Sequence, residues 1–186
     1  MNMGLDQYLT KRFYVKNWDH THAEHRHEVI ILQGEKVRED IPVHKISEIV
    51  CEVMYWRKAN AIHKWFVETC QGGVDDCRES YVSMDQLKEL HATCCEVLAG
   101  SKLVKGKVQN GATFKDGKEV PTMEDGEYIL DSTVAEELLP TESGFFFGQT
   151  TYDQWYYQDI VATKEVLEKE LAIENNDASY YYQSSW

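Results

Sequence analysis

Between Trp56 and Trp65 the chain brings Arg57, Lys58, Asn60, His63 and Lys64 close together, its densest group of residues able to do chemistry. On a helix, Trp56, Asn60 and His63 would share one side, and Arg57, Ala61 and Lys64 another. A helix beginning at Trp56 would aim free backbone N–H groups and Arg57 at an anion such as a phosphate, with indole rings alongside to stack on a base. The same pattern arises when tryptophans fill a core and the cations form a solvated face, so the residue types leave both readings open. The Phe145 to Phe147 run and Tyr152 add aromatic surface. Trp56, Arg57, Asn60, His63, Phe146 and Tyr152 are therefore the candidate ligand-binding residues.

Three further groups invite a metal reading. Asp75 and Asp76, joined by Asp6 and Asp153, could supply oxygen ligands to Mg2+, with His63 as a base, in a phosphodiesterase-like site. Adjacent aspartates in a glycine loop also act as turn formers and caps, because their side chains bond nearby backbone N–H groups. His20, His22, His25 and His27 form H-x-H-x2-H-x-H, which on an extended chain puts imidazoles on one side for Zn2+ or Ni2+; the competing reading is a polar loop that gains charge below about pH 6.5. Cys70 and Cys77 are separated by six intervening residues, unlike the C-x2-C pairs of structural zinc sites. No resident metal or other cofactor is expected. The chain lacks G-x-S-x-G, P-loop and H-E-x-x-H patterns, so the hydrolase and kinase classes that carry them lose weight and the balance leans away from an enzyme.

The elements that must position these groups follow from length and pattern. The 186 residues allow one well-filled domain, and five cysteines, an odd number with Cys94 next to Cys95, read as reduced thiols. Thirty-two acids against nineteen Lys and Arg give a formal charge of -13, which disfavours gripping a nucleic-acid backbone and favours a basic partner. Residues 131–186 carry eleven acids and two lysines, so the acidity is concentrated there. Asp159, Glu165 and Glu168 read as an acidic row on a C-terminal helix, and with Tyr181 they are the candidate partner-binding residues; a solvated helix face explains the same acids. No apolar run is long enough for a membrane span and no signal-peptide pattern opens the chain, so a soluble cytoplasmic protein is expected.

Aromatic and β-branched residues predict strands at 8–15 and 28–32. Apolar period two from Ile49 and helical period from Tyr55 predict a strand passing into a helix near Trp56, stopped after Cys70 by Gln71-Gly72-Gly73. After a short strand at 81–82, Ser83 to Gln86 has the capping-box form and opens a helix to Leu98. Asn110-Gly111 and Asp116-Gly117 predict hairpin turns within a projecting region at 101–127. A short helix at 133–139 ends at Pro140, and a last helix starts near Asp153 with Tyr156, Ile160, Leu167 and Leu171 on its buried face. In the tail at 174–186, alternation sends Tyr180, Tyr182 and Ser184 to one side, as in an added edge strand. The expected fold is a single compact α+β domain: a mixed or antiparallel sheet against three to four helices.

The run Tyr55-Trp56-Arg57-Lys58-Ala59-Asn60-Ala61-Ile62-His63-Lys64-Trp65-Phe66 also resembles a family of small uncharacterised proteins common in bacteriophage and prophage genomes. The resemblance extends to Met3-Gly4-Leu5-Asp6, Gly73-Val74-Asp75-Asp76-Cys77, Leu139-Pro140-Thr141 with Ser143-Gly144-Phe145-Phe146-Phe147-Gly148, Tyr152-Asp153-Gln154-Trp155-Tyr156 and Tyr182-Gln183-Ser184-Ser185-Trp186. It frames most of the chain and leaves 20–27 and 101–127 as local elaborations. Phage kinship implies an accessory protein in an infected bacterial host that counters antiviral defence. The first expectation is an inhibitor, of the anti-CRISPR type, that binds a host defence protein through an acidic, aromatic-rich surface. The alternative is a nucleotide-binding protein, a sponge or hydrolase for a signalling nucleotide. A homo-oligomer is compatible with both.

Overall fold

Two strands far apart in sequence set the frame. In the computed structural model, which describes residues 4–115 and 118–186, β1 (Asp6–Tyr14) runs antiparallel to β4 (Glu48–Arg57), with a bulge between Leu9 and Thr10. A small hairpin of β2 (Leu32–Gln33) and β3 (Lys36–Val37) lies on the excursion between them. The other edge of β1 pairs with the chain's last strand, β8 (Ser179–Ser185), which also pairs with β5 (Ser80–Val82). The sheet order is β4-β1-β8-β5, with every pairing antiparallel.

Strand alternation gives this sheet two unlike faces. Leu9, Trp56, Val82, Tyr180 and Tyr182 point inward and are buried. Helices α1 (Asn60–Cys70), α2 (Met84–Gly100) and α4 (Gln154–Leu171) cover that face with Ile62, Trp65 and Phe66, with Leu87, Leu90, Cys94 and Val97, and with Tyr156, Ile160 and Leu167. Short α3 (Thr133–Leu138) adds Ala135. Burial of apolar surface at about 25 cal/mol per Å2 makes this single layer of contact the main source of stability. Among the described residues the fold is α+β, as expected, and the sheets are antiparallel throughout.

The helix expected from Trp56 begins four residues later. Trp56 and Arg57 are strand residues opposite Gln7 and Asp6, and the Trp56 Nε1–H donates to Thr163 Oγ1 in the core. Ladder bonds along a ten-residue strand hold the extended form through Arg57. The chain then turns at Lys58, whose φ of 61° is left-handed. The helix starts carry different caps. Ser83 caps α2 in a full capping box, as expected, and Asp153 accepts from the Trp155 and Tyr156 N–H groups to cap α4, whereas Ala59 leaves the α1 terminus without a side-chain cap.

Three other expectations change. The strand expected at 28–32 is reduced to Leu32–Gln33, because β-prone residues without a neighbouring strand have no ladder to join. Asn110-Gly111 is a bulge inside the long hairpin of β6 (Leu103–Lys115) and β7 (Lys118–Ile129), not its turn. Gly111, at φ 84°, supplies the left-handed residue that a bulge uses as readily as a turn. The Asp116-Gly117 turn falls outside the described residues. The hairpin base docks on the start of α4 through the bond from Ile129 N–H to the Tyr152 carbonyl and through Gln154 Oε1, which accepts from Glu127 N–H.

The tail is the third change: β8 lies between β1 and β5, an interior strand and not an added edge. The predicted alternation holds, with Tyr180, Tyr182 and Ser184 buried. Deleting 179–186 therefore removes two ladders and two buried tyrosines from a fold whose whole stability is about 5–15 kcal/mol. Loss of the cooperative thermal transition in circular dichroism is the expected outcome, and a truncated chain that melts sharply near the full-length temperature overturns this account.

Candidate functional site

His63 sits at the centre of the motif helix, 1% exposed, with both ring nitrogens engaged. The direction of the bonds follows from their ends. Gln7 Nε2 donates to the Ala59 carbonyl at 3.2 Å, so Gln7 Oε1 accepts the Tyr182 hydroxyl proton at 3.0 Å. The Tyr182 oxygen also lies 2.8 Å from His63 Nδ1. His63 Nε2 donates at 3.0 Å to Asp75 Oδ2, whose partner oxygen accepts from Trp186 Nε1 at 3.1 Å. Both ring nitrogens thus have a dedicated partner, the Tyr182 hydroxyl on one side and the Asp75 carboxylate on the other. Burial above all, with the Asp75 charge adding to it, holds the Tyr182 hydroxyl well above its ordinary pKa, which keeps it a donor.

This chain engages both nitrogens of the imidazole, so His63 presents no unpartnered nitrogen to a substrate while it stands. Phe147 packs edge-on to the ring at 5.0 Å and Trp186 lies 6.1 Å from Phe147. A cleft of about 290 Å3 opens above His63, Lys64, Asp75 and Glu142, where Lys64 bonds Glu142 at 2.9 Å.

The carboxylates expected to gather for Mg2+ are dispersed. Asp6 accepts from the Tyr55 hydroxyl and stands 4.0 Å from Arg57, Asp76 accepts from the Arg78 backbone N–H, and Asp153 is the α4 cap. Among the described residues no three His, Cys, Asp or Glu side chains come together as metal ligands. His20, His22, His25 and His27 are exposed on a loop containing a short 3-10 turn at Ala23–His25, not on the extended chain that would align them. Burial, with the Glu89 charge adding to it, pushes the Cys70 thiol up to about 12, away from the thiolate that zinc needs.

The other ligand candidates divide between scaffold and surface. Trp56 and Trp65 belong to the core. Asn60 is a clamp: its Nδ2 donates to the Phe147 and Gln149 carbonyls and its Oδ1 accepts from Glu142 N–H, which pins the aromatic loop to α1. Phe146 accepts the Leu5 N–H on its carbonyl, and the Tyr152 hydroxyl accepts from Thr141 N–H. Arg57 alone of the six lines the large cleft beside α1, of about 410 Å3, together with Lys58, Asn110, Gly148, Gln149, Thr151, Trp155, Gln158 and Asp159. A small depression next to it reaches the first residues of α1 and again includes Lys58 and Asp159.

Asp159 does not stand in the acidic row. It is nine residues, or two and a half turns, from Glu168, which places the two on opposite sides of α4. Glu165 and Glu168 are exposed, and Glu168 pairs with Lys164 at 2.8 Å. Asp159 turns toward the cleft, where burial foremost and the Asp153 charge second raise its pKa to about 7. Neither its carboxyl nor the Lys58 ammonium has a hydrogen bond or ion pair among the described residues. Sequence reading missed the Gln7 contribution to the His63 chain, although a glutamine alternating with Leu5 and Leu9 on an inward strand face was a visible sign.

The uncovered outer face of the four-stranded sheet carries the remaining candidate, Tyr181. Cross-strand register groups it with Tyr8, Tyr55 and Tyr81, of which Tyr8, Tyr55 and Tyr81 are 36%, 41% and 57% exposed. Tyr8 and Tyr55 lie 5.3 Å apart and Tyr81 and Tyr181 5.9 Å apart, while the Arg12 guanidinium sits 4.2 Å from the Tyr181 ring and pairs with Glu79. No protein-family model, curated protein or solved structure matches the chain.

Two predictions follow from the buried groups. Tyr182→Phe keeps the ring stacked on Phe66 at 4.0 Å but strands Gln7 Oε1 and His63 Nδ1, so urea denaturation should show a loss of about 1–3 kcal/mol, whereas Asp76→Ala should stay within about 0.5 kcal/mol. Asp159 binds more protons folded than unfolded between about pH 4 and 7, so its ionisation lowers stability as pH rises through that window, and the cost persists above it. Asp159→Asn should therefore be more stable than the wild type by roughly 1–3 kcal/mol at pH 8, with the difference gone by pH 4. Equal melting curves at pH 8 would remove the buried-carboxyl account.

Proposed function

We propose that this protein works by docking its tyrosine-rich sheet face on a partner protein, and that the partner is a component of bacterial antiviral defence that it inhibits. The observation that carries the docking reading is the outer face itself. Four tyrosines and two arginines stand on rigid strands with no helix over them, while the opposite face holds the whole core. Tyrosine and arginine are the residues most enriched where binding energy concentrates, because each covers much area and keeps a polar end for hydrogen bonds. Arg12 is paired with Glu79 and Arg57 with Asp6, while Glu52, opposite Thr10, adds a further acid, so the face is amphipathic without excess positive charge, which suits a protein surface better than a phosphate backbone.

The defence assignment rests on the resemblance to phage proteins. The formal charge of -13 supports a basic partner, since the exposed acids of α4, Glu165 and Glu168 among them, would speed encounter without forming the contact. In this reading the acidic surface steers and the tyrosines hold.

The test expresses the chain in bacteria that carry a defence system restricting a chosen phage. The expected outcome is restored plating by the wild type and loss of that rescue by the Tyr8→Ala, Tyr81→Ala, Tyr181→Ala triple variant. Purified defence component should bind the variant at least about tenfold more weakly, at unchanged melting temperature. Full rescue by the folded triple variant would overturn the sheet-face assignment.

A further inference from the structure

The cleft beside α1 is built by four separate parts of the chain and meets the docking face at Arg57. Its walls are the end of β4 with Arg57 and Lys58, the bulge at Asn110-Gly111, the Gly148 to Thr151 segment, and the first turns of α4 with Trp155, Gln158 and Asp159. At about 410 Å3 it falls in the usual range of small-molecule sites, roughly 300–1,000 Å3. Lys58 is held in place by its surroundings, since its stem lies along Gly148, where an added Cβ would meet Lys58 Cβ at 3.2 Å, and along Gly4.

Four charged residues line the cleft, Arg57, Lys58, Asp153 and Asp159, and two of them, Lys58 and Asp159, are of opposite sign and do not meet. Lys58 and Asp159 line both the cleft and its side depression, yet no ion pair joins them. A half-buried carboxyl without a partner costs stability, and a salt bridge across the gap would be the simple remedy. The gap is instead open to a molecule that brings an anion to Lys58 and an N–H donor to Asp159. Between them Gln149, Gln158 and Thr151 offer further hydrogen bonds, and the Trp155 ring offers a flat apolar wall.

We propose that this cleft binds a nucleoside monophosphate, with the phosphate on Lys58 and Arg57, the base beside Trp155, and a base N–H group donating to Asp159. One-ended ligands fit less well. Inorganic phosphate would leave Asp159 without a partner, and a free nucleoside would leave Lys58 without one. The titration of Asp159 near neutrality adds a signature, because only the ionised carboxylate accepts the base N–H without competing as a donor.

Isothermal titration and 15N NMR of the full chain, with AMP, adenosine and inorganic phosphate as separate probes, test the assignment. The expected result is saturable AMP binding with a shift of the Trp155 indole resonance, and affinities for adenosine and phosphate each at least about tenfold lower. Lys58→Ala and Asp159→Asn should each weaken AMP by about 10- to 100-fold, as losing a charge-assisted hydrogen bond does. Wild-type affinity should fall from pH 8 to pH 6 more steeply than that of Asp159→Asn, which retains only the ionisation of the phosphate. Absence of a saturable response to millimolar AMP, phosphate binding as tightly as AMP, or unchanged AMP affinity in both folded variants would each overturn the proposal. Sheet-face binding would be untouched by any of these results.

Discussion

A single run of hydrogen bonds, buried from the Ala59 carbonyl through Gln7 and Tyr182 to His63 and reaching the surface at Asp75 and the Trp186 indole, constrains the rest of this fold. It joins the first strand, the motif helix, the loop after that helix and the last strand, four segments that sequence separation would otherwise leave independent. Each member has its polar atoms matched to a specific neighbour, so a rotated ring or slipped register would leave donors and acceptors stranded in a dry interior. Apolar packing alone tolerates repacking, whereas this chain admits one register for β8 against β1. It therefore specifies the sheet from which both candidate surfaces are hung.

Placing the last strand inside the sheet has a kinetic consequence as well. β8 pairs with β1 across almost the full length of the chain, so the central ladder cannot close until the C-terminus is present. Contacts of such sequence separation slow folding, because loop-closure entropy is lost before the pairing compensates for it. Until β8 arrives, β1 and β5 have open edges and the inner tyrosine positions are empty.

Local grammar in the sequence was easy to read, and tertiary competition was not. The Ser83 capping box, the glycine stop after Cys70, the alternation of the terminal tyrosines and the start of the last helix at Asp153 are decided within a few residues, and each appears as the pattern implies. The start of α1 was misplaced because Trp56 and Arg57 suit helix and strand alike, and only the presence of Asp6 and Gln7 opposite them decides the matter. Asn110-Gly111 has the composition of a turn and the position of a bulge, a difference set by the length of the strand around it. His63 was visible as a chemical residue, but its partners lie on other strands and loops. Asp159 looked like surface because helical spacing to Glu165 and Glu168 says nothing about which side of α4 meets the core.

What the fold explains can be separated from what it leaves over. The motif segments converge on one another: Lys58 N–H bonds Leu5, Leu5 N–H bonds Phe146, Asn60 holds Phe147 and Gln149, and Asp75 meets both His63 and Trp186. Asn60, His63, Asp75 and Trp186 are accounted for by that mutual locking, and no ligand is needed to justify them. Lys58, Asp159 and the outward tyrosines have no such account. Tyr81 is exposed and meets the Tyr181 ring at its edge, and Asp159 destabilises the chain wherever it is ionised. Residues that lower stability or expose large rings on rigid elements are those for which binding supplies the missing contacts. On this reasoning the motif helix is a scaffold whose chemistry faces inward, and the proposed binding falls to its two neighbours, the cleft at its start and the outer side of the sheet it covers.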